Sequence, residues 1–168
     1  VRSRGLGDVY KRQGLGPRHA LLTRDRSKQI LTVSGELSAS VQSWSRRASE
    51  DAWSRGWRLV DQTPSSSDAT AVPSAIVPGP DGQLLVANRG VGTCGVLSGP
   101  LGHHKLIDEF PLGGVQPRDV TSDGDQLWVA EQADGAVLCL HRSSEGWRQR
   151  LRLDLPGASR VLIGPTLG

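Results

Sequence analysis

Asp81-Gly82-Gln83-Leu84-Leu85-Val86-Ala87-Asn88-Arg89 reads as a tight turn followed by an apolar strand that ends on two polar residues. Pro73-Ser74-Ala75-Ile76-Val77 precedes it and Gly92-Thr93-Cys94-Gly95-Val96-Leu97 follows, so the unit is strand, turn, strand, small-residue turn, strand. The same succession returns as Pro117-Arg118-Asp119-Val120, Asp123-Gly124-Asp125-Gln126-Leu127-Trp128-Val129-Ala130-Glu131-Gln132 and Gly135-Ala136-Val137-Leu138-Cys139-Leu140. It occurs earlier as Pro17-Arg18-His19-Ala20-Leu21-Leu22, Gln29-Ile30-Leu31-Thr32-Val33-Ser34-Gly35-Glu36 and Ala39-Ser40-Val41-Gln42-Ser43-Trp44. Asp-Gly suits these turns because Gly accepts positive φ and Asp can bond its own backbone.

A fourth strand closes each unit: Trp57 to Asp61, Lys105 to Phe110, and Trp147 to Leu153. In the last, Arg150-Leu151-Arg152-Leu153 alternates polar and apolar residues as a half-solvated outer strand should. The origins Pro17, Pro73 and Pro117 are 56 and 44 residues apart, close to the roughly 40–50 residues of a four-stranded propeller blade. Two low-complexity stretches, Ser45 to Arg55 and Gln62 to Ala71, lengthen the first unit and are expected to be surface loops. The expected fold is therefore all-β: a partial β-propeller of about three four-stranded antiparallel blades plus one further strand over Ala158–Gly164. Three blades cannot close a ring, because each buries its faces against two neighbours. The chain is expected to be part of a larger propeller, with the last strand belonging to a ring-closing blade.

Composition agrees. Of 168 residues, 36% are hydrophobic and 22% charged, which suits a packed chain rather than a disordered one. Twenty-one glycines and ten prolines favour turn-rich β structure over a helix bundle. No apolar run approaches the roughly 20 residues that span a bilayer, so no membrane partner is expected. The net charge of +3 would ordinarily invite a nucleic-acid reading. However, Ser3-Arg4-Gly5-Leu6-Gly7-Asp8-Val9-Tyr10-Lys11-Arg12-Gln13 reads as the in-frame translation of a transposase sequencing adaptor. Residues 1–13 are accordingly taken as a non-native, disordered leader, and 14–168 as the propeller portion. Taking the leader's four cations and one anion from totals of 20 and 17 leaves 16 of each, so no nucleic-acid partner is expected.

From Gly14-Leu15-Gly16-Pro17-Arg18-His19 onward, with Glu36-Leu37, Ala87-Asn88-Arg89, Gln116-Pro117-Arg118-Asp119 and Ala130-Glu131-Gln132, the sequence resembles the seven-bladed propeller lactonase family. That family includes 6-phosphogluconolactonases and carboxymuconate-lactonising enzymes. The resemblance covers residues 14–168 and makes this chain roughly the C-terminal half of the family's length. It implies hydrolysis of sugar or sugar-phosphate lactones, such as 6-phosphogluconolactone, by a cytoplasmic enzyme of carbohydrate metabolism that needs neither metal nor cofactor. The expected partner is a small anionic lactone; oligomeric state is left open. The resemblance also implies a site histidine from an earlier blade, absent here, so this chain alone is expected to be inactive. Two alternatives stand beside this reading: a carboxymuconate-type cycloisomerase, and a non-catalytic propeller that binds a peptide or protein.

The repeats point to a site on their own account. Aligning Val33, Val86 and Val129 places Glu36, Arg89 and Gln132 at matched positions just past the second strand. Arg18, Ser74 and Arg118 match just after the three prolines. In an antiparallel blade these two sets share one rim of the central channel. Lactone hydrolysis needs an anion-binding group, an activated water and oxyanion stabilisation. Guanidiniums suit the first and third, and a carboxylate or imidazole suits the second. By resemblance, Arg18, Glu36 and Arg89 are the expected catalytic set, with Glu36 as general base, and all three are expected in one cleft. His19, Arg118 and Gln132 are the expected further substrate contacts. Each has a plain alternative: arginines bonding blade-edge carbonyls, Glu36 as a salt-bridge partner, Asn88-Arg89 as a polar turn, His19 in a structural hydrogen bond. Adjacent His103-His104, read as strand residues, would face opposite ways and are not expected to bind metal. Cys94 and Cys139, on third strands, read as buried reduced thiols.

Overall fold

The computed structural model describes residues 14–48 and 56–164. It contains twelve strands among these residues: β1 (Pro17–Arg24), β2 (Lys28–Gly35), β3 (Ser40–Arg47), β4 (Arg58–Pro64), β5 (Val72–Pro78), β6 (Leu84–Arg89), β7 (Thr93–Ser98), β8 (Lys105–Pro111), β9 (Pro117–Ser122), β10 (Gln126–Glu131), β11 (Ala136–Ser143) and β12 (Gly146–Asp154). They form three four-stranded antiparallel sheets in the orders β1-β2-β3-β4, β5-β6-β7-β8 and β9-β10-β11-β12. The sole helical turn among the described residues is Pro80–Gly82, where Asp81 and Gly82 take φ of 55° and 72° at the first hairpin of the second blade. The all-β, partial-propeller expectation is met.

The middle blade explains why β6 is apolar without alternation. Leu84 to Asn88 are all buried, and successive side chains point to opposite faces. Leu84 and Val86 pack with Val41, Ile76 and Leu97 toward the first blade. Leu85 and Ala87 pack with Cys94, Val96, Leu127, Val129 and Leu138 toward the third. Each fully buried Leu contributes about 1.5–3 kcal/mol relative to exposure, so stacking blades on both sides of one strand is what makes the repeat stable. The outer strand β12 has only its stem packed: Trp147 stacks on Phe110 with ring centroids 5.6 Å apart, while Leu151 and Leu153 remain 40% and 43% exposed.

The innermost strands β1, β5 and β9 neighbour one another, and each carries an irregularity at its start. Pro17 pairs with Gly35, Pro73 with Asn88 and Pro117 with Glu131, and in every case the register then slips by one residue. These bulges re-aim the residues after each proline. Buried hydroxyls tie the inner strands together. Ser34 Oγ donates to Ser74 O at 2.8 Å, and Ser74 Oγ donates to Pro117 O at 2.6 Å.

Three details differ from the sequence reading. Residues 158–164 form no strand: a ladder needs a hydrogen-bonded neighbour, and no other described segment pairs with this one. Ser45, Arg46 and Arg47 extend β3, and Gln62 to Pro64 extend β4, so the two expected loops are shorter than their polar composition suggested; residues 49–55 lie outside the described residues. His103 and His104 sit in the turn before β8 rather than on a strand. The leader, residues 1–13, also falls outside the described residues.

Candidate functional site

The bulges and the strand ends beside them gather polar side chains at one rim. Glu36 follows β2 directly, and its amide is fixed by Gly16 O at 2.8 Å. Its Oε1 lies 2.6 Å from Nη2 of Arg89, the last residue of β6, so the pair bridges the first and second blades. Arg89 is 15% exposed and Glu36 36%. The buried Nε of Arg89 has no hydrogen-bond partner, and the Nη2 contact is an ion pair by distance without hydrogen-bond alignment. Glu36 Oε2 has no partner among the described residues, leaving a carboxylate oxygen able to accept a proton.

A second group surrounds a cleft of about 290 Å³ lined by Arg18, His19, Ser74, Ala75, Arg118, Asp119, Ser159 and Arg160. Arg118 Nη1 donates to Gln132 Oε1 at 2.9 Å. His19 Nδ1 accepts the Ile76 amide at 3.0 Å, and its own amide donates to Ser34 Oγ at 3.1 Å. With Nδ1 used as an acceptor, the ring proton sits on Nε2, so His19 has a structural hydrogen bond on one side and a donor on the other. Asp119 Oδ2 accepts the Val161 amide at 3.1 Å.

The structure thus brings Glu36 to Arg89, and Arg18 to His19 and Arg118, with Gln132 joined to Arg118. It does not place the Glu36–Arg89 pair among the residues lining the Arg18 cleft, so the expected catalytic trio divides between two neighbouring places on the rim. Ser159 and Arg160 line the cleft without being among the residues expected from the sequence. Their signal was present, since Ala158-Ser159-Arg160-Val161 repeats the frame of Pro73-Ser74-Ala75-Ile76 with Ala in place of Pro.

Other titratable groups are structural. Glu109 accepts from Ser66 Oγ, Ser67 N, Ser67 Oγ and Thr93 Oγ1. Burial pushes its carboxyl upward, but these four hydrogen bonds outweigh it and hold the group below the usual carboxylate range. Burial drives the Cys94 and Cys139 thiols upward, and burial lowers His104. Among the described residues no cluster of three or more His, Cys, Asp or Glu is placed to hold a metal ion, and no helix is long and apolar enough to cross a membrane.

A family model described as "Lactonase, 7-bladed beta-propeller" matches residues 6–160, beginning inside the segment read as a leader. No curated protein matches the chain. Similar solved structures include a protein from Lactobacillus plantarum (25% identity, TM-score 0.72, covering 88% of this chain and 44% of that one). A putative 6-phosphogluconolactonase from Bacteroides fragilis follows at 18% identity and TM-score 0.69, with 88% and 41% coverage. A periplasmic gluconolactonase from Pseudomonas aeruginosa has 21% identity, TM-score 0.68 and coverage of 87% and 42%. The chain spans less than half the length of each.

Proposed function

The chain belongs to the seven-bladed β-propeller lactonase family, and on that premise we propose that it supplies the Glu36–Arg89 pair and the arginine-lined cleft to a metal-independent hydrolase of sugar or sugar-phosphate lactones. The observation that carries the proposal is the 2.6 Å approach of Glu36 Oε1 to Arg89 Nη2 across two blades. It sets a base beside a cation at one point of the rim. Glu36 Oε2 takes a proton from water as the water's oxygen adds to the lactone carbonyl. The Arg89 guanidinium faces the oxygen on which negative charge develops. Breakdown of the tetrahedral adduct expels the ring oxygen as an alcohol, with the proton returned from Glu36, and yields the open hydroxy acid. Arg18 and Arg118 hold the substrate's anionic substituent. The same reading takes the protein as cytoplasmic, supported by two free buried cysteines rather than a disulfide; the periplasmic gluconolactonase of Pseudomonas aeruginosa marks the alternative.

The test is hydrolysis of gluconolactone and 6-phosphogluconolactone by a complete ring that contains residues 14–168. Glu36→Gln is expected to lower turnover by roughly 10²–10⁴-fold with KM little changed, whereas Arg18→Ala raises KM. Normal turnover in Glu36→Gln removes the mechanism. Reversible lactonisation of a carboxymuconate-type acid, without hydrolysis, assigns the rim to a cycloisomerase instead.

A further inference from the structure

We propose that Arg160, from the segment after the last strand, joins Arg18 and Arg118 in a three-guanidinium cradle that binds an oxyanion, the phosphoryl or carboxylate group of a small molecule. The proposal rests on reading this rim as a substrate face, though not on lactone hydrolysis itself.

A repeated hydrogen bond fixes where Arg160 sits. In the first blade, the second residue after the leading proline, His19, accepts the amide of Ile76 on the neighbouring inner strand at 3.0 Å. In the third blade the matched residue, Asp119, accepts the amide of Val161 at 3.1 Å. Val161 therefore stands to the third blade as Ile76 stands to the first. Although residues 158–164 form no ladder, they occupy the next inner-strand position. Ser159 and Arg160 then fall where Ser74 and Ala75 fall, on the bulge that faces the channel, and both line the cleft.

The charge balance in the cleft calls for a ligand. Among the described residues none of Arg18, Arg118 and Arg160 takes part in an ion pair. Arg118 is partnered by a neutral amide, Gln132. The single carboxylate lining the cleft, Asp119, has one oxygen committed to the Val161 amide. Three like charges around a concavity repel one another and focus a positive potential into it. An oxyanion relieves that repulsion, and planar guanidinium forks match its oxygens in pairs. At about 290 Å³ the cleft has the size of one small substituted acid, near the lower end of small-molecule sites. Among the described residues no ion pair uses this excess charge.

The experiment is calorimetric titration of the 168-residue chain with inorganic phosphate and, separately, citrate, at low ionic strength with chloride as control. Wild type is expected to bind at least one probe. Arg160→Ala should weaken that binding at least about tenfold, in line with loss of a charge-assisted contact, and Arg160→Lys should fall between, keeping the charge without the fork. Arg150→Ala, on the exposed outer strand, should bind as wild type. Tighter phosphate binding assigns the phosphoryl source and tighter citrate binding the carboxylate source. Binding in Arg160→Ala equal to wild type, an equal loss in Arg150→Ala, or no binding of either probe to a wild-type chain with a β-type circular dichroism spectrum overturns the cradle. Lactone turnover is read separately, on the complete ring that contains residues 14–168: absence of hydrolysis there with Arg160-dependent anion binding removes the lactonase reading and leaves the cradle standing.

Discussion

Replacing Glu131 should loosen the approach to the site more than any rim substitution. Glu131 ends β10 and is fully buried, yet it has no cationic partner among the described residues. Its two oxygens accept the Gln116 amide at 2.9 and 3.0 Å, and Oε1 also accepts the Ala133 amide at 3.2 Å. The carboxylate therefore holds the segment that leads into Pro117 and Arg118. That segment is pressed against it: a Cβ added to Gly114 would lie 2.5 Å from the carboxyl carbon. Glu131→Ala removes the acceptor of the half-buried Gln116 amide, at about 1–3 kcal/mol, and that of the exposed Ala133 amide, which water can replace. Removing the buried carboxylate returns part of this, which sets the net loss at about 1–2 kcal/mol. Glu131→Gln keeps the shape and one acceptor oxygen and should lose about half as much. Urea unfolding measures both, with an unchanged m-value showing that the fold is retained. Because Arg118 lies two residues past Gln116, phosphate affinity should fall along with stability. An Ala variant within about 0.5 kcal/mol of wild type, against the 1–3 kcal/mol expected per orphaned donor, or a Gln variant less stable than Ala, refutes the reasoning.

The blade junctions, the pH response and the thiols each yield a further test. Gly95→Ala should cost about 2–3 kcal/mol or more by overpacking, since the new Cβ would meet the Ser65 carbonyl oxygen at 2.0 Å, where only backbone movement gives room; thermal unfolding reads it, and a neutral Ala variant contradicts the close approach. Glu109 has a lowered folded pKa, so its stabilising hydrogen bonds are present above the unfolded carboxyl pKa and are lost as pH falls through the folded value. Protection of the Ser67 amide against hydrogen exchange, taken relative to its intrinsic rate at each pH, should fall over that acidic window in wild type and be low at every pH in Glu109→Ala; protection that does not change with pH in wild type removes the latch. Cys94 and Cys139 are free, buried and raised in pKa by burial, so a thiol reagent at neutral pH should label neither until the chain is unfolded in urea.

Local rules carried most of the fold. Asp81-Gly82 and Asp123-Gly124 are turns because their backbone demands are met within a few residues. The strands around them are legible because apolar runs of that length between turns have few other uses. The same rules misread the first unit's polar stretches: Arg46 and Arg47 lie on β3 despite their composition, because a strand's backbone pairing with β2 tolerates polar side chains at an outer position. Matching Val33, Val86 and Val129 was enough to bring Glu36, Arg89 and Gln132 to one rim, and Pro17, Pro73 and Pro117 did the same for Arg18, Ser74 and Arg118.

What the matching could not supply was contact. Equivalent positions state that side chains share a rim, whereas blade stacking decides which of them meet. Arg89 turns back to Glu36 of the previous blade, while Arg118 turns to Gln132 of its own. Arg18 lines the second cleft, whose lining residues do not include the Glu36–Arg89 pair. Arg160 illustrates the same limit, since its place depends on the Asp119 carboxylate capturing the Val161 amide, a contact 42 residues apart in sequence. The sequence by itself determined the strands, the turns and the repeat, because hydrophobic period and turn chemistry are properties of neighbouring residues. Only the tertiary structure decided the partners at the rim, because the pairing of long charged side chains depends on distances between blades that no local pattern encodes.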